Sequence, residues 1–403
     1  MNFLYDITMK RISSILASVI LLAACAGGSG GSGTSAADLH ERDMILLSEG
    51  LIYYGQDPEA GAFDDMYYAF AASDKEMAEA SAKAAEDFRQ KAEGLSPQKR
   101  AFLKDVFSDY ADLAVMAEYA YRDSEVQLPE GWTDLGTGDP DLAKLIDRYS
   151  VKGLKCSLMA KGDRKVLVFA GTDFPGSWTD MGMVMHFIMD AYEDVYGALN
   201  ADASQVVLAD RLVGELLSSG YVSRGSLEFA GHSLGGRLAS EMAVRYGCPA
   251  VIFNAAGVSP QVYEAYDAAR QAADKDWRGY IVDVVAANDP LTCAQKYMSG
   301  ASDPFVSAAA EALSVDKKTV EGVLSVGMGI LGAVVDNVAG DSKVVKTAKA
   351  LTERYGDVVD EYYERDYRAL GAVMPLREDM GGHGIKELAA VLRARADLLS
   401  QKK

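Results

Sequence analysis

Histidine and cysteine are scarce in this chain, with four of each among 403 residues. Few cysteines leave little room for crosslinking. Apart from Cys25, the remaining Cys156, Cys248 and Cys293 are odd in number, so they cannot all pair within an exported chain. Their spacing fits no metal motif, and buried free thiols are expected. Basic residues are also in deficit, with 40 Lys and Arg against 59 Asp and Glu and a formal net charge of −19. Binding a phosphate backbone needs a basic face, and no basic cluster occurs, so nucleic acid is excluded as a partner. The same charge is repelled by anionic lipid headgroups, which leaves hydrophobic or covalent routes to a membrane. Long apolar runs are lacking as well. ISSILASVILLAA, residues 12–24, is too short to cross a bilayer, and EGVLSVGMGILGAVVDNVAG, residues 321–340, is interrupted by Asp336 and Asn337.

What is present at the N-terminus supplies the covalent route. Lys10 and Arg11 precede the apolar run, the charge-then-apolar order of a secretory signal. The ending Leu22-Ala23-Ala24-Cys25 resembles a bacterial lipobox, in which Cys25 is diacylated and becomes the new N-terminus. AGGSGGSGTS follows as a flexible tether reaching roughly 15–20 Å. Residues 1–24 are therefore expected to be a lipoprotein signal, residues 25–35 a Gly/Ser tether, and the mature protein lipid-anchored in a bacterial cell envelope, at the outer membrane or cell surface. Two or more acyl chains anchor a protein stably.

Residues 36–149 read as helical, with strong helix formers in EMAEASAKAAEDFRQKAEG and three- and four-residue apolar spacing in FLKDVFSDYADLAVMAEYAYRD. The texture changes near Gly153. GLKCSLMA and KVLVFAGT are short β-rich runs around the turn Lys161-Gly162-Asp163. SLEFAG, AVIFNAAG and YIVDVVAAND then alternate with helical segments, which predicts an α/β fold with a mostly parallel central sheet covered on both faces. The domain plan is an N-terminal helical region (36–149) packed on an α/β domain (150–403), with a helical cap insertion at about 295–378. Within that insertion, residues 321–340 are expected as a buried cap helix or a lid opening onto lipid.

The chemistry concentrates in Gly231-His232-Ser233-Leu234-Gly235, a G-x-S-x-G pattern between a β-rich run and a helix-forming one. A serine on a sharp strand-to-helix turn needs neighbours without side chains, so that the strained backbone can fold and the hydroxyl can project. A serine hydroxyl is a weak nucleophile until a base takes its proton, and a carboxylate orients that base. In this hydrolase fold the chain order is Ser, then Asp or Glu, then His. His40 and His186 precede the serine, and His232 sits on the elbow and cannot turn back onto it. His383, in GGHGIKEL, is the histidine that remains. Asp289 follows the strand YIVDVVAA at its C-terminal end, where sites on parallel sheets lie; Asp283, its rival, sits inside the strand. An oxyanion hole needs backbone N–H donors, expected from Leu234 and from Thr172 in the loop after KVLVFAG.

These residues resemble a family. FAGTDFPGSWTDM is similar to the signature of the class 3 (fungal-type) lipases, GHSLGGRLA resembles that family's serine motif, and VIFNAAGV, NDPLT and GHGI follow in its order. The resemblance covers about residues 110–297 and the last 25 or so. It implies an α/β-hydrolase fold, Ser233, Asp289 and His383 as a triad, Thr172 and Leu234 as the oxyanion hole, and acylglycerols or phospholipids as substrates. No metal or other cofactor is implied. The expected activity is carboxylic ester hydrolysis, with acyl transfer by the same triad and a non-catalytic envelope lipoprotein as the rival readings. For the anchor, Cys25→Ser should move the protein from the membrane to the soluble fraction on cell fractionation; retention in the membrane pellet would count against lipidation.

Overall fold

The computed structural model describes residues 35–54, 74–121, 126–171, 204–274, 276–287, 289, 292, 370–379 and 382–401. In chain order its elements are α1 (Ala36–Ser48), β1 (Tyr53–Tyr54), α2 (Asp74–Gly94), α3 (Pro97–Tyr119), β2 (Thr133–Asp134), α4 (Leu135–Gly138), α5 (Pro140–Ser150), β3 (Cys156–Lys161), β4 (Arg164–Phe169) and α6 (Ser204–Ser218). They continue with β5 (Leu227–His232), α7 (Leu234–Tyr246), β6 (Ala250–Phe253), α8 (Pro260–Gln271), β7 (Ile281–Ala286), β8 (Ala372–Leu376) and α9 (Ile385–Ser400).

The strands form one eight-stranded sheet in the order β1-β8-β7-β6-β5-β4-β3-β2. Pairing is parallel from β4 through β8 and antiparallel at both edges. The mixed α/β architecture with a mostly parallel sheet therefore stands as the sequence predicts, and so does the β3–β4 hairpin, with Lys161 opposite Arg164 across the Gly162 turn. Side chains alternate along the central strands. Val282, Val284 and Ala286 pack into a core with α3 and α9, whereas Leu227, Phe229 and Ile252 face α6 and α7 on the other side. Strands buried on both faces read as nearly continuous apolar runs, interrupted here by Glu228 in β5 and Asp283 in β7, which is why they lack polar alternation.

Two expectations are corrected. The segment read as helical between residues 36 and 149 also supplies β1 and β2, which close the two edges of the sheet. Each is only two residues long, too short for a periodicity signal. The stretch expected as a cap insertion, 295–378, contains β8, which pairs with β7 from Val282↔Ala372 to Ala286↔Leu376. Pro375 obscures this strand in the sequence, since proline lacks a ladder donor, but here it lies one strand from the edge of the sheet. Residues 295–369, including 321–340, lie outside the described residues. Cys156 and Cys248 are buried free thiols as expected, and Cys293 is outside. Among the described residues, no helix is long and apolar enough to cross a membrane.

Sequence-local rules account for the helix starts. Ser35 and Asp38 form a reciprocal capping box on α1, Ser96 caps α3 ahead of Pro97, and Asp139 caps α5 ahead of Pro140. One ion cluster ties helix to sheet. Arg164 on β4 donates to Asp109 on α3 and to Glu228 on β5, the latter at 2.7 and 3.0 Å. Glu228 is buried, so deleting its partner strands a charge in low dielectric. Arg164→Met should lower the unfolding free energy by about 3 kcal/mol. Adding Glu228→Gln should restore part of that loss in urea titrations, and additive losses would contradict the account.

Candidate active site

The parallel strands deliver their loops to one edge of the sheet. β4 ends before Gly171, β5 before Ser233, β7 before Asp289 and β8 before His383. Ser233 occupies a strand-to-helix turn with φ 58° and ψ −125°, a left-handed conformation that costs a non-glycine residue about 1–3 kcal/mol. Backbone bonds hold it there. Its N–H donates to Phe253 O at 3.0 Å, and its carbonyl accepts from the N–H groups of Gly236, Arg237 and Ala256 at 3.0–3.2 Å.

The glycines of the motif have a steric cause. A Cβ on Gly231 would lie 2.3 Å from the Gly235 carbonyl oxygen, and one on Gly235 would lie 2.2 Å from the Phe169 oxygen. Strand β5, helix α7 and the end of β4 meet with no room for a methyl group. Gly171 is as tightly placed, since a Cβ there would meet the Tyr121 hydroxyl at 2.6 Å and Ser233 Cβ at 3.1 Å. Gly171, just after β4, thus lies directly against the elbow. Thr172 itself, like Cys25, lies outside the described residues. Leu234 is the first residue of α7, where helix geometry leaves the leading N–H groups without intrahelical acceptors.

Asp289 and His383 are brought together, 94 residues apart in the chain. His383 Nδ1 lies 2.6 Å from Asp289 Oδ1, and both side chains are 0% exposed. The other carboxylate oxygen accepts from the Thr292 N–H at 2.7 Å and from its hydroxyl. Thr292 was not anticipated, although a threonine three residues beyond an aspartate is a common local partner for it. Asn254 was missed as well. It has φ 43°, its Oδ1 accepts from Ala286 N at 2.9 Å, and its Nδ2 donates to Gly382 O at 3.4 Å, so it links the ends of β6 and β7 to the His383 turn. Ala287 N adds a bond to Asp379 O at 3.1 Å.

His232, set aside as a base, is 5% exposed and spans two partners. Its Nε2 is 2.8 Å from the His383 carbonyl oxygen and its Nδ1 is 2.8 Å from the Tyr121 hydroxyl. Desolvation, with the neighbouring His383 adding to it, pushes its pKa well below the usual imidazole range. Asp283 stays inside β7, with Oδ1 accepting from Ala255 N at 3.4 Å, and burial raises its pKa well above the usual carboxylate range. Among the described residues, no group of three or more His, Cys, Asp or Glu side chains converges as a metal site.

A serine elbow at the carboxyl edge of a mostly parallel sheet, with the Asp289–His383 pair carried by loops after β7 and β8, is compatible with an α/β-hydrolase-like fold. Residues 112–350 match the family model described as the Tle-like phospholipase domain, a phospholipase-like family, and this chain belongs to that family. The match spans more than half of the chain and includes Ser233 and Asp289, while His383 lies beyond it. No curated protein matches the chain.

Asp283 generates a test by linkage. A carboxyl whose folded pKa is raised contributes stability that is complete below its unfolded value, near 3.9, and is lost as pH rises toward the folded value. Asp283→Asn keeps the Oδ1 acceptor and removes the titration. The difference in urea midpoint between variant and wild type should therefore move in the variant's favour from pH 5 to pH 8, by linkage of about 1.4 kcal/mol per unit of pH over which the two states differ by one proton. A pH-independent difference would contradict a neutral buried Asp283.

Proposed function

We propose that this protein is a serine carboxylic ester hydrolase with a lipid substrate, of lipase or phospholipase type, built on an α/β-hydrolase fold. The buried hydrogen bond between Asp289 and His383, formed at the same sheet edge as the strained Ser233, is the observation that carries this reading. His383 Nε2 takes the Ser233 proton as Oγ bonds to the ester carbonyl carbon. Asp289, fixed by Thr292, keeps the histidine proton on Nδ1 and stabilises the imidazolium that forms. In this reading the backbone N–H groups of Leu234 and Thr172 donate to the oxyanion of the tetrahedral intermediate, with the N-terminus of α7 adding a favourable dipole. The ester C–O bond then breaks, and the leaving alcohol takes the proton from His383. Water, deprotonated by the same histidine, adds to the acyl-enzyme, and Ser233 leaves with the carboxylic acid released.

No metal or other cofactor enters these steps. The phospholipase-like family and the resemblance of the motifs to those of class 3 lipases support a lipid ester over a small soluble one. Attachment through Cys25 would hold the enzyme at a bacterial envelope membrane despite its negative charge, and residues 321–340 would serve as a cap or lid over the acyl chain.

Purified protein should release fatty acid from phospholipid vesicles and hydrolyse nitrophenyl esters. Ser233→Ala should lower kcat by roughly 10⁶-fold and Asp289→Asn by roughly 10⁴-fold. Equal rates in wild type and Ser233→Ala would overturn the hydrolase reading. Acyl transfer to an added alcohol faster than hydrolysis would make the protein an acyltransferase instead.

A further inference from the structure

The most conspicuous residue of the elbow motif has no part in the steps above. His232 precedes Ser233, and its ring reaches the carbonyl of His383. We infer that His232 and Tyr121 are positioning residues, which hold the backbone of His383 in register with the elbow through a relay from the Tyr121 hydroxyl to the His232 ring to the His383 carbonyl. This rests on the reading of His383 as the base that serves Ser233.

The chemistry of the two contacts fixes the relay's direction. A carbonyl oxygen only accepts, so the 2.8 Å contact requires a proton on His232 Nε2. Burial disfavours a second proton, so Nδ1 presents a lone pair and the Tyr121 hydroxyl donates to it at 2.8 Å. His232 is thereby held as the neutral Nε2–H tautomer. That state has a consequence for the neighbouring ring. The centroids of His232 and His383 are 4.7 Å apart, and His383 must gain a positive charge when Ser233 attacks. A charged His232 at that distance would oppose the step, whereas a neutral one that donates to the backbone does not.

The relay also joins parts of the chain that are remote in sequence. Tyr121 lies two residues beyond the end of α3, His232 closes β5, and His383 sits in the turn before α9. The Tyr121 hydroxyl lies against Gly171 as well, so one hydroxyl borders both the histidine brace and the residue that follows β4. The His383 turn has other ties, from Asn254 to Gly382 and from Ala287 to Asp379. His232 adds a bond to the carbonyl of His383 itself.

The test compares variants that separate donation from packing. His232→Gln can donate through its amide and accept from Tyr121, whereas His232→Leu fills space without donating. With the folded fraction checked by thermal unfolding, His232→Leu should lower kcat by about 10- to 100-fold with KM within about twofold. His232→Gln should recover most of that loss. Tyr121→Phe should lower kcat less, and the same change added to His232→Leu should cost almost nothing further, because the relay is already broken. The nitrogen NMR shifts of His232 should report a neutral ring protonated on Nε2 near neutral pH.

Full kcat in His232→Leu, or additive losses in the double variant, would overturn the relay. So would a His232→Gln loss as deep as that of His383→Gln, which would make His232 the base. Ser233→Ala run alongside separates the two levels. If it is inactive while His232→Leu is fully active, the relay alone fails; if it is as active as wild type, the hydrolase reading falls and the relay with it.

Discussion

The left-handed backbone of Ser233 is the constraint on which the site depends. A serine at φ 58° persists only where its surroundings over-determine it. Here the Ser233 carbonyl collects three backbone N–H groups and its own N–H is held by β6. That closure needs β5, α7 and the end of β4 to approach until no methyl group fits at Gly231 or Gly235. The same close approach puts the N-terminus of α7 and the Gly171 loop on either side of Ser233. The steric rule that demands glycine thus also assembles the surroundings in which a serine can act.

Around the elbow, similar buried groups meet different partners. Asp283 and Asp289 stand six residues apart on and after one strand. Asp283 meets a single weak backbone donor in an apolar layer, and its pKa rises. Asp289 meets the imidazole of His383 together with the Thr292 amide and hydroxyl. The two histidines divide in the same way: His232 is held neutral between a hydroxyl and a carbonyl, while His383 faces a carboxylate. Environment rather than residue type separates the proposed working pair from its supports.

Much of this was legible in the sequence because the relevant signals are local. The glycine pattern, the flanking β-rich and helix-forming runs, and an aspartate just past a strand each need fewer than fifteen residues to express. Elimination among four histidines then singled out His383. Less visible were the partners that meet only in three dimensions. Tyr121, Asn254 and Thr292 carry no motif, and the contact from Tyr121 to His232 joins positions 111 residues apart. Strands β1 and β2 were hidden by their brevity and β8 by its proline and by its place after a long intervening stretch. Local chemistry marks what a residue could do, while the sheet decides which residues meet.

Covalent trapping addresses the central claim most directly. A fluorophosphonate carrying an alkyl chain reacts with a serine only where the hydroxyl is activated and an oxyanion site is in place. Treated protein, digested and analysed by mass spectrometry, should carry a single adduct on the peptide containing Ser233, with ester hydrolysis lost in proportion to labelling. An active enzyme that remains unlabelled, or an adduct on another residue with Ser233 untouched, would contradict the assignment of Ser233 as the nucleophile.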